Sequence, residues 1–186
     1  MWLKKQDPYT LVVGMTGVKL GDRFVQIGCA HGGRLAAIAG KVGLSGRALA
    51  IVADQAAAGR AQKAAANAGV LVDVEVARAT TIAGDADSFD LAIVDDTGGE
   101  FTALSADDRA ATIRELARVV RPGGRAMLIG ASPREGLAAL LSRGPTTPSL
   151  ASSGEAATAI AAGGFRGVRT LAEREGLVFV EGIKPR

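Results

Sequence analysis

A short glycine-rich segment and three carboxylates are the residues of this chain best suited to chemistry. The segment Gly28–Gly33 (GCAHGG) follows an apolar run and is followed directly by a helical pattern. Residues with little or no side chain let the backbone approach a ligand closely, as in the first turn of a nucleotide-binding sheet. Asp54 follows a second apolar run, and Asp95 and Asp96 follow a third. Because parallel strands end at a common edge of a sheet, these residues predict a nucleotide site.

His31 and Cys29 lie inside the glycine segment and are the chain's only histidine and cysteine. His31 is a candidate for general acid–base chemistry, with a surface role in the loop as the alternative. Cys29 is expected to be a small packed residue rather than a nucleophile. One histidine and one cysteine cannot form a structural zinc site, and no metal is expected.

Alternating strand and helix patterns position these residues. Apolar runs predict strands over Phe24–Ile27, Arg47–Ala53, Val70–Val76, Phe89–Val94 and Arg125–Ile129. Helical spacing predicts helices over 7–19, Arg34–Val42, Gln55–Ala68 and Ser105–Val120. Such alternation predicts a parallel sheet with right-handed crossovers.

Local signals refine these elements. Asp7 is the expected N-cap of the first helix, with Pro8 at its first position. Gly17 and Gly69 are expected to end helices. Apolar and acidic residues alternate over Val70–Val76, which places that strand near an edge of the sheet. The segment Pro122–Gly124 predicts a turn.

The pattern changes after residue 130. A short helix is expected over 132–142 and a loop over 143–149, and the spacing of Ser152 and Glu155 predicts a capped helix that ends near Gly163. Val168–Leu171 and Val178–Glu181 flank a tight turn, so they form an antiparallel pair.

Size and composition limit the possible classes. The chain has 186 residues, 48% of them hydrophobic, so we expect a single domain over 1–186, with a helix or lid over 1–20 and an insertion loop over 131–153. The net charge of +3 is weak, and no nucleic-acid partner is expected. No apolar run approaches the ~18 residues of a membrane helix. With a polar start and one cysteine, these features predict a cytoplasmic protein.

The glycine segment fits two cofactors. As Gly-x-Ala-x-x-Gly it is a near match to the dinucleotide fingerprint, with Asp54 about 20 residues downstream. As Gly-x-Ala-x-Gly it is the looser loop of an adenosylmethionine-binding sheet. Asp54 suits both, because a carboxylate at the end of the second strand can accept two hydrogen bonds from a ribose diol. A helix cap or a solvated strand end is its structural alternative.

The second half of the chain carries a family resemblance. Leu116–Arg125 (LARVVRPGGR), before an apolar strand, strongly resembles a segment of class I S-adenosylmethionine-dependent methyltransferases. Ser88–Asp95, Thr16–Arg23 and the terminal pair after Ala162 are similar to other segments of that family. The resemblance covers nearly the whole chain, and Leu116–Arg125 is its most specific part.

This resemblance implies an α/β fold with a seven-stranded, mostly parallel Rossmann-like sheet. The strand order would be 3-2-1-4-5-7-6, with strand seven antiparallel and helices on both faces. The cofactor would be S-adenosyl-L-methionine, with S-adenosyl-L-homocysteine as product. The residues expected to contact it are Gln26, Gly28, Cys29, Ala30, Gly32, Asp54, Thr80 and Asp95. The residues expected to face the methyl acceptor, a small molecule, are Asp95, Asp96 and His31.

Three departures from the family keep other functions open. Gln26 stands where the family usually has an acid, and the lost charge-assisted bond costs roughly 1–2 kcal/mol. No acid follows the third strand until Asp85, so Thr80, Thr81 or backbone groups would contact the adenine. Little chain is left to cover an acceptor. A non-catalytic binding or scaffold protein and, less strongly, an NAD-dependent oxidoreductase are the alternatives. A homo-oligomer is compatible with either.

Overall fold

The computed structural model describes residues 7–132, 150–151 and 154–186. Its helices are α1 (Thr10–Thr16), α2 (Gly33–Val42), α3 (Gln55–Ala68), α4 (Ala106–Val119) and α5 (Glu155–Ala162). Its strands are β1 (Arg23–Ile27), β2 (Arg47–Val52), β3 (Asp73–Val76), β4 (Phe89–Asp96), β5 (Val120–Ala131), β6 (Arg166–Arg174) and β7 (Leu177–Ile183).

The strands form one sheet in the order β3-β2-β1-β4-β5-β7-β6. The first five pair in parallel, and β7 is antiparallel to both β5 and β6. This confirms the predicted fold class and places β3 at an edge, as its alternating pattern indicates. The direction of winding reverses between β1 and β4. Open α/β sheets bind ligands outside the carboxyl ends of their strands at such a point.

Side chains of the central strands alternate between two apolar clusters, one on each face of the sheet. On β1, Val25 and Ile27 belong to a cluster that includes side chains of α4 and α5, whereas Phe24 belongs to one with α2 and α3. Both faces of a parallel sheet are covered by helices, so its strands are continuously apolar. Complete burial of a side chain such as Phe24 contributes about 1.5–3 kcal/mol.

Several predicted boundaries are correct. Helix α3 has the predicted bounds, and Gly17 and Gly69 follow α1 and α3 in the left-handed conformation. Ser105 caps α4 by accepting a hydrogen bond from the Asp108 N–H.

The structure corrects the start of two helices. The N-cap of α1 is Tyr9 rather than Asp7, so Pro8 precedes the helix. Asp7 accepts a hydrogen bond from the Tyr9 N–H at 2.9 Å and thereby forms a local turn before the helix. Gly154 is the N-cap of α5, so the helix begins later than the predicted cap at Ser152, which lies outside the described residues. The helix and loop predicted over 132–149 also fall almost wholly outside them.

Strand predictions change as well, and β3 begins at Asp73 rather than at Val70. β4 continues through Asp95 and Asp96 instead of stopping at Val94, because both residues pair with β5. The Pro122–Gly124 segment, predicted as a turn, lies within β5 and is accommodated by a register shift opposite Phe89 and Leu91. The extension of β4 fixes the position of both aspartates at the site, because it places them on a strand that is paired with β5. No helix among the described residues is long and apolar enough to cross a membrane.

Candidate functional site

A cavity of about 200 Å³ opens at the carboxyl ends of β1, β2 and β4. Its walls are mainly apolar and include Ile27, Ile51, Val52, Ala77, Ala79, Phe101 and Leu104. Gly28, Thr80, Asp95 and Glu100 contribute to its lining as well. Pockets that enclose a whole drug-sized ligand occupy ~300–1,000 Å³. This cavity therefore suits a flat apolar group such as a nucleobase, with the rest of the ligand lying across the glycine turn.

Gly28 forms the turn that leaves β1. Its φ of 81° is in the left-handed region, and a Cβ there would lie 2.8 Å from the backbone oxygen of Asp95. The Gly28 N–H donates to Ile51 O at 2.9 Å, which ties the turn to β2. A side chain at this position would close the approach to the backbone, so the turn fits a ligand held against bare backbone.

Gly32, which was also predicted to contact the cofactor, lies close to α3. Its φ is 83°, and a Cβ there would lie 2.5 Å from Ala64 Cβ and 2.9 Å from Arg60 O, both in α3. Gly32 thus permits α2 to begin against α3, and it does not line the cavity. Its observed function is helix packing.

Gln26 is almost completely buried beside the glycine turn, at 1% exposure. Its Nε2 donates to Gly28 O at 3.0 Å, whereas its Oε1 is buried and has no hydrogen-bond partner among the described residues. An unpaired buried acceptor costs about 1–3 kcal/mol, which a ligand donor would recover. Gln26 is therefore placed to accept one hydrogen bond from a ligand at the turn.

Asp95 lies at the end of β4 with both carboxylate oxygens already bonded. Arg34 of α2 donates to Oδ2 from Nε and to Oδ1 from Nη2, each at 3.2 Å. Thr97 donates to Oδ1 from its hydroxyl at 2.6 Å and from its backbone N–H at 3.2 Å. The Asp95 side chain is 4% exposed and that of Arg34 11% exposed. This ion pair links β4 to the start of α2, and the positive charge of Arg34 balances the negative charge of Asp95.

Asp96 is fully buried and holds the loop between β4 and α4. Its Oδ1 accepts from the Thr102 N–H at 2.9 Å and its Oδ2 from the Thr102 hydroxyl at 2.5 Å. The Thr102 hydroxyl oxygen in turn accepts from the Leu150 N–H at 3.0 Å. Asp96 does not line the cavity. Its contacts are those of a residue that positions the loop.

Glu100 lines the cavity, and the sequence analysis did not identify it. Its Oε1 lies 4.0 Å from Arg60 Nη2, and both side chains are about 40% exposed, at 40% and 43%. Burial raises the pKa of the Glu100 carboxyl, Arg60 lowers it, and the charges of Asp95, Asp54 and Asp96 raise it further. No sequence signal identifies Glu100, because its position beside Gly28 depends on how the loop after β4 folds.

Asp54 lies just after β2 and is the N-cap of α3. Its Oδ1 accepts from the Ala57 N–H at 2.7 Å. Val52 is the last residue of β2 and lines the cavity together with Ala53, whereas Asp54 does not. The Oδ2 atom has no hydrogen-bond partner among the described residues, which leaves one oxygen for a ligand at the mouth of the cavity.

His31 and Cys29 are held by protein groups. The Nδ1 atom of His31 lies 3.1 Å from the donating Gly33 N–H, its Nε2 lies 3.1 Å from Arg34 Nη1, and its ring is 5.9 Å from that of Tyr9. Cys29 is fully buried, and burial, followed by the charge of Asp95, raises the pKa of its thiol. Neither residue lines the cavity.

The structure thus brings Gln26, Gly28, Thr80 and Asp95 together around the cavity and the turn that borders it. Ala30 lies slightly farther along the glycine segment. A Cβ placed on Gly98 would lie 3.7 Å from the Cβ of Ala30. Asp54, Gly32, Cys29, His31 and Asp96 do not line the cavity, and their contacts with cofactor or acceptor stay predictions. Among the described residues, no group of three or more His, Cys, Asp and Glu side chains could hold a metal ion.

Comparisons with known proteins agree with this geometry. A family described as "Methyltransferase domain" matches residues 24–124, which is more than half of the chain and includes β1 to β4 and the cavity. No curated protein matches the sequence.

Solved structures share the fold at low identity. A SAM-dependent methyltransferase from Aquifex aeolicus is 21% identical, with a TM-score of 0.74 and coverage of 95% of this chain and 89% of that one. A SAM-dependent methyltransferase from Methanosarcina mazei is also 21% identical, with a TM-score of 0.65 and coverage of 96% and 99%. The [4+2]-cyclase SpnF is 17% identical, with a TM-score of 0.70 and coverage of 95% and 79%. At these identities the likeness is one of fold.

Proposed function

Because the chain belongs to the methyltransferase-domain family and has its seven-stranded sheet, we propose that it binds S-adenosyl-L-methionine and methylates a small molecule. The observation that carries this proposal is the junction of an apolar cavity with the bare Gly28 turn at the reversal of strand order. Such a junction suits a ligand with a flat apolar base at one end and a polar amino acid at the other.

The residues present fit the two ends of this cofactor. The apolar wall that includes Val52, Ala77 and Phe101 would hold the adenine, and Thr80 would offer it a hydroxyl. At the other end, the unpaired Gln26 Oε1 would accept a hydrogen bond from the amino group beside Gly28. Between them, Asp54 Oδ2 would accept from the ribose diol while Oδ1 continues to cap α3.

Methyl transfer makes modest demands on protein side chains. The cofactor supplies a methyl group already activated on a positively charged sulfur. The protein then contributes positioning and exclusion of water. The Arg34–Asp95 pair would fix the glycine turn against β4, and His31 would face an acceptor by exchanging its contact with Gly33 or Arg34. A general base is required only for a weakly acidic acceptor.

A small acceptor is favoured over a macromolecule by the surface around the site. The net charge is weak, whereas nucleic-acid binding needs a strongly basic face. Tyr9, at the start of α1, packs over Gly33 and His31 and covers one side of the glycine turn. We further propose a reducing compartment, the cytoplasm, because a chain with a single cysteine can form no intramolecular disulfide.

Isothermal titration calorimetry tests the cofactor assignment. S-adenosyl-L-methionine and S-adenosyl-L-homocysteine should each bind saturably at one site, and Gly28→Val should abolish binding by filling the turn. Titration of NADH followed by its fluorescence is the matched control and should show no change. An absence of binding at millimolar cofactor, or saturable binding of NADH instead, would contradict the proposal.

A non-catalytic binding or scaffold protein is the second candidate. It is favoured by the engagement of Asp95 with Arg34 and of Asp96 with Thr102, which leaves neither free to act as a base. Release of S-adenosyl-L-homocysteine from S-adenosyl-L-methionine, in the presence of a panel of small acceptors, distinguishes the two. Acceptor-dependent release would eliminate the scaffold, whereas binding without turnover across the panel would favour it.

A further inference from the structure

The space above the Gly28 turn is surrounded by hydrogen-bond acceptors. A Cβ placed on Gly28 would lie 2.8 Å from Asp95 O and 3.5 Å from Glu100 Oε2. The amide of Gln26 lies beside the same turn, with an Oε1 that is buried and unpaired among the described residues. These oxygens leave a position suited to a donor group, and a charged donor gains most from a carboxylate nearby.

Among the carboxylates near this position, Glu100 is the one whose side chain has no hydrogen bond among the described residues. Asp95 is neutralised by Arg34, and both Asp96 oxygens accept from Thr102. Glu100 has only the loose contact of 4.0 Å with Arg60. At that separation, with both side chains partly exposed, the pair contributes little, so its carboxylate can bond to a ligand without breaking a strong protein interaction.

We propose that Glu100 binds the ammonium group of the adenosyl amino acid. It would thereby supply from the loop after β4 the negative charge that Gln26 lacks at the end of β1. This inference rests on the proposed function, because it concerns the amino-acid end of that cofactor. It assigns a binding role to Glu100, and none in the transfer of the methyl group.

Binding of the ammonium group should depend on the charge state of Glu100. Burial raises the pKa of this carboxyl above its ordinary value of 4.5, Arg60 opposes the increase, and Asp95, Asp54 and Asp96 add to it. A cation bound beside Glu100 favours its ionised form. Affinity for the amino-acid end should therefore fall as the pH drops through the raised pKa.

The test compares two ligands by calorimetry. S-adenosyl-L-homocysteine carries the ammonium group, whereas 5′-deoxy-5′-methylthioadenosine has the same nucleoside and thioether without the amino acid. In Glu100→Gln, we expect affinity for S-adenosyl-L-homocysteine to fall about tenfold, the effect of one charge-assisted bond. Affinity for methylthioadenosine should stay within about twofold of the wild type.

Matched variants control for other effects. Asp107→Asn removes an exposed carboxylate of α4 that does not line the cavity, and it should leave both affinities unchanged. Adding Gln26→Glu to Glu100→Gln should recover affinity for S-adenosyl-L-homocysteine, because it returns a charge to the same turn. Should Glu100→Gln fail to fold, the ratio of the two affinities in the wild type between pH 8 and pH 4 serves instead; because pH 4 lies below the ordinary pKa of 4.5, the ratio should decrease over this range.

Three results would overturn the inference, and they are distinguishable. If Glu100→Gln lowers the affinity for both ligands equally, the substitution acts on nucleoside binding or on the fold and not on the ammonium group. Unchanged binding of both, or an affinity ratio that is independent of pH, would show that Glu100 does not bind the ammonium group; the proposed function would stand. Failure of the wild type to bind either ligand would reject the proposed function itself.

Discussion

The carboxylates around the glycine turn differ in how many protein donors each already has. Asp95 accepts four hydrogen bonds from Arg34 and Thr97, and Asp96 accepts two from Thr102. Asp54 uses one oxygen to cap α3. Glu100 alone among these four has no hydrogen bond in the described part of the chain. Glu100 is therefore the most available of the four to a ligand, because it has the fewest protein donors. Closeness to a strand end does not decide this availability.

The Arg34–Asp95 pair gives a prediction about a single residue. Arg34→Met removes the guanidinium and leaves a charge that is 4% exposed, so the free energy of unfolding should fall by about 3 kcal/mol. Arg34→Lys keeps the charge but not the two-pronged contact and should lose less. Urea denaturation measures both. A loss below about 0.5 kcal/mol for Arg34→Met would show that Asp95 does not depend on this partner.

Sequence reasoning located the site's backbone better than its side chains. The Gly28 turn follows from residue type and strand position, whereas the position of Thr80 in the cavity lining was expected from the family resemblance. The partners of Asp95 and Asp96 do not, because Arg34 is 61 residues from Asp95 and the boundary of β4 was placed two residues early. Glu100 escaped notice because its contacts with the Gly28 turn arise only from the folding of the loop after β4.

The β1–α2 connection depends on how closely the backbone of β4 approaches it. Gly28 and Gly99 both have left-handed φ angles, of 81° and 78°. A Cβ would lie 2.8 Å from Asp95 O at Gly28, but it would meet nothing within 4 Å at Gly99. A substitution at Gly99 therefore measures the cost of the left-handed backbone alone, whereas one at Gly28 adds the cost of a steric conflict.

This comparison gives a prediction for the turn. Gly99→Ala should destabilise the protein by about 1–2 kcal/mol, the cost of a left-handed alanine. Gly28→Ala should cost more, about 3 kcal/mol or above, because the methyl group also displaces β4 backbone. Thermal or urea unfolding of both variants provides the measurement. Equal losses in the two proteins would indicate that the approach of β4 to Gly28 imposes no steric constraint.

Asp90 of β4 connects three neighbouring strands at their amino ends, on the side of the sheet away from the cavity. It accepts from the Arg23 N–H of β1 at 2.8 Å and from Arg121 Nε of β5 at 2.6 Å. Burial by itself raises the pKa of Asp90, but the bonds from Arg121 and Arg23 outweigh burial and hold the pKa below its ordinary value of 3.8. The ionised form is therefore more favourable in the folded chain than in the unfolded chain.

The sign of this pKa shift predicts how stability depends on pH. Stabilisation by Asp90 is complete above its unfolded pKa of about 3.8 and is lost as the pH falls through the lower folded pKa. The unfolding free energy of the wild type should exceed that of Asp90→Asn at pH 7, and the difference should shrink toward pH 3. Urea unfolding at both values measures it. A difference that is constant with pH would contradict this account.

Across the whole molecule, the strand order is what brings the site together. The glycine turn, the end of β2 and the end of β4 come from three separate parts of the sequence, and the order β3-β2-β1-β4 places them side by side. The resemblance to class I methyltransferases implied this order, whereas the alternation of strands and helices predicted only a parallel sheet, and the tight turn between the last two strands predicted their antiparallel pairing. The N-caps Tyr9 and Gly154 were not predictable from sequence. A local hydrogen bond of Asp7 sets the first, and the left-handed conformation of Gly154 sets the second.

A crystal structure with bound S-adenosyl-L-homocysteine tests the central claim most directly. The account predicts adenine against Val52, Ala77 and Phe101, and an amino group within about 3 Å of the Glu100 carboxylate above Gly28. Electron density for the ligand elsewhere, or a cavity filled by protein side chains with the ligand absent at saturating concentration, would contradict it.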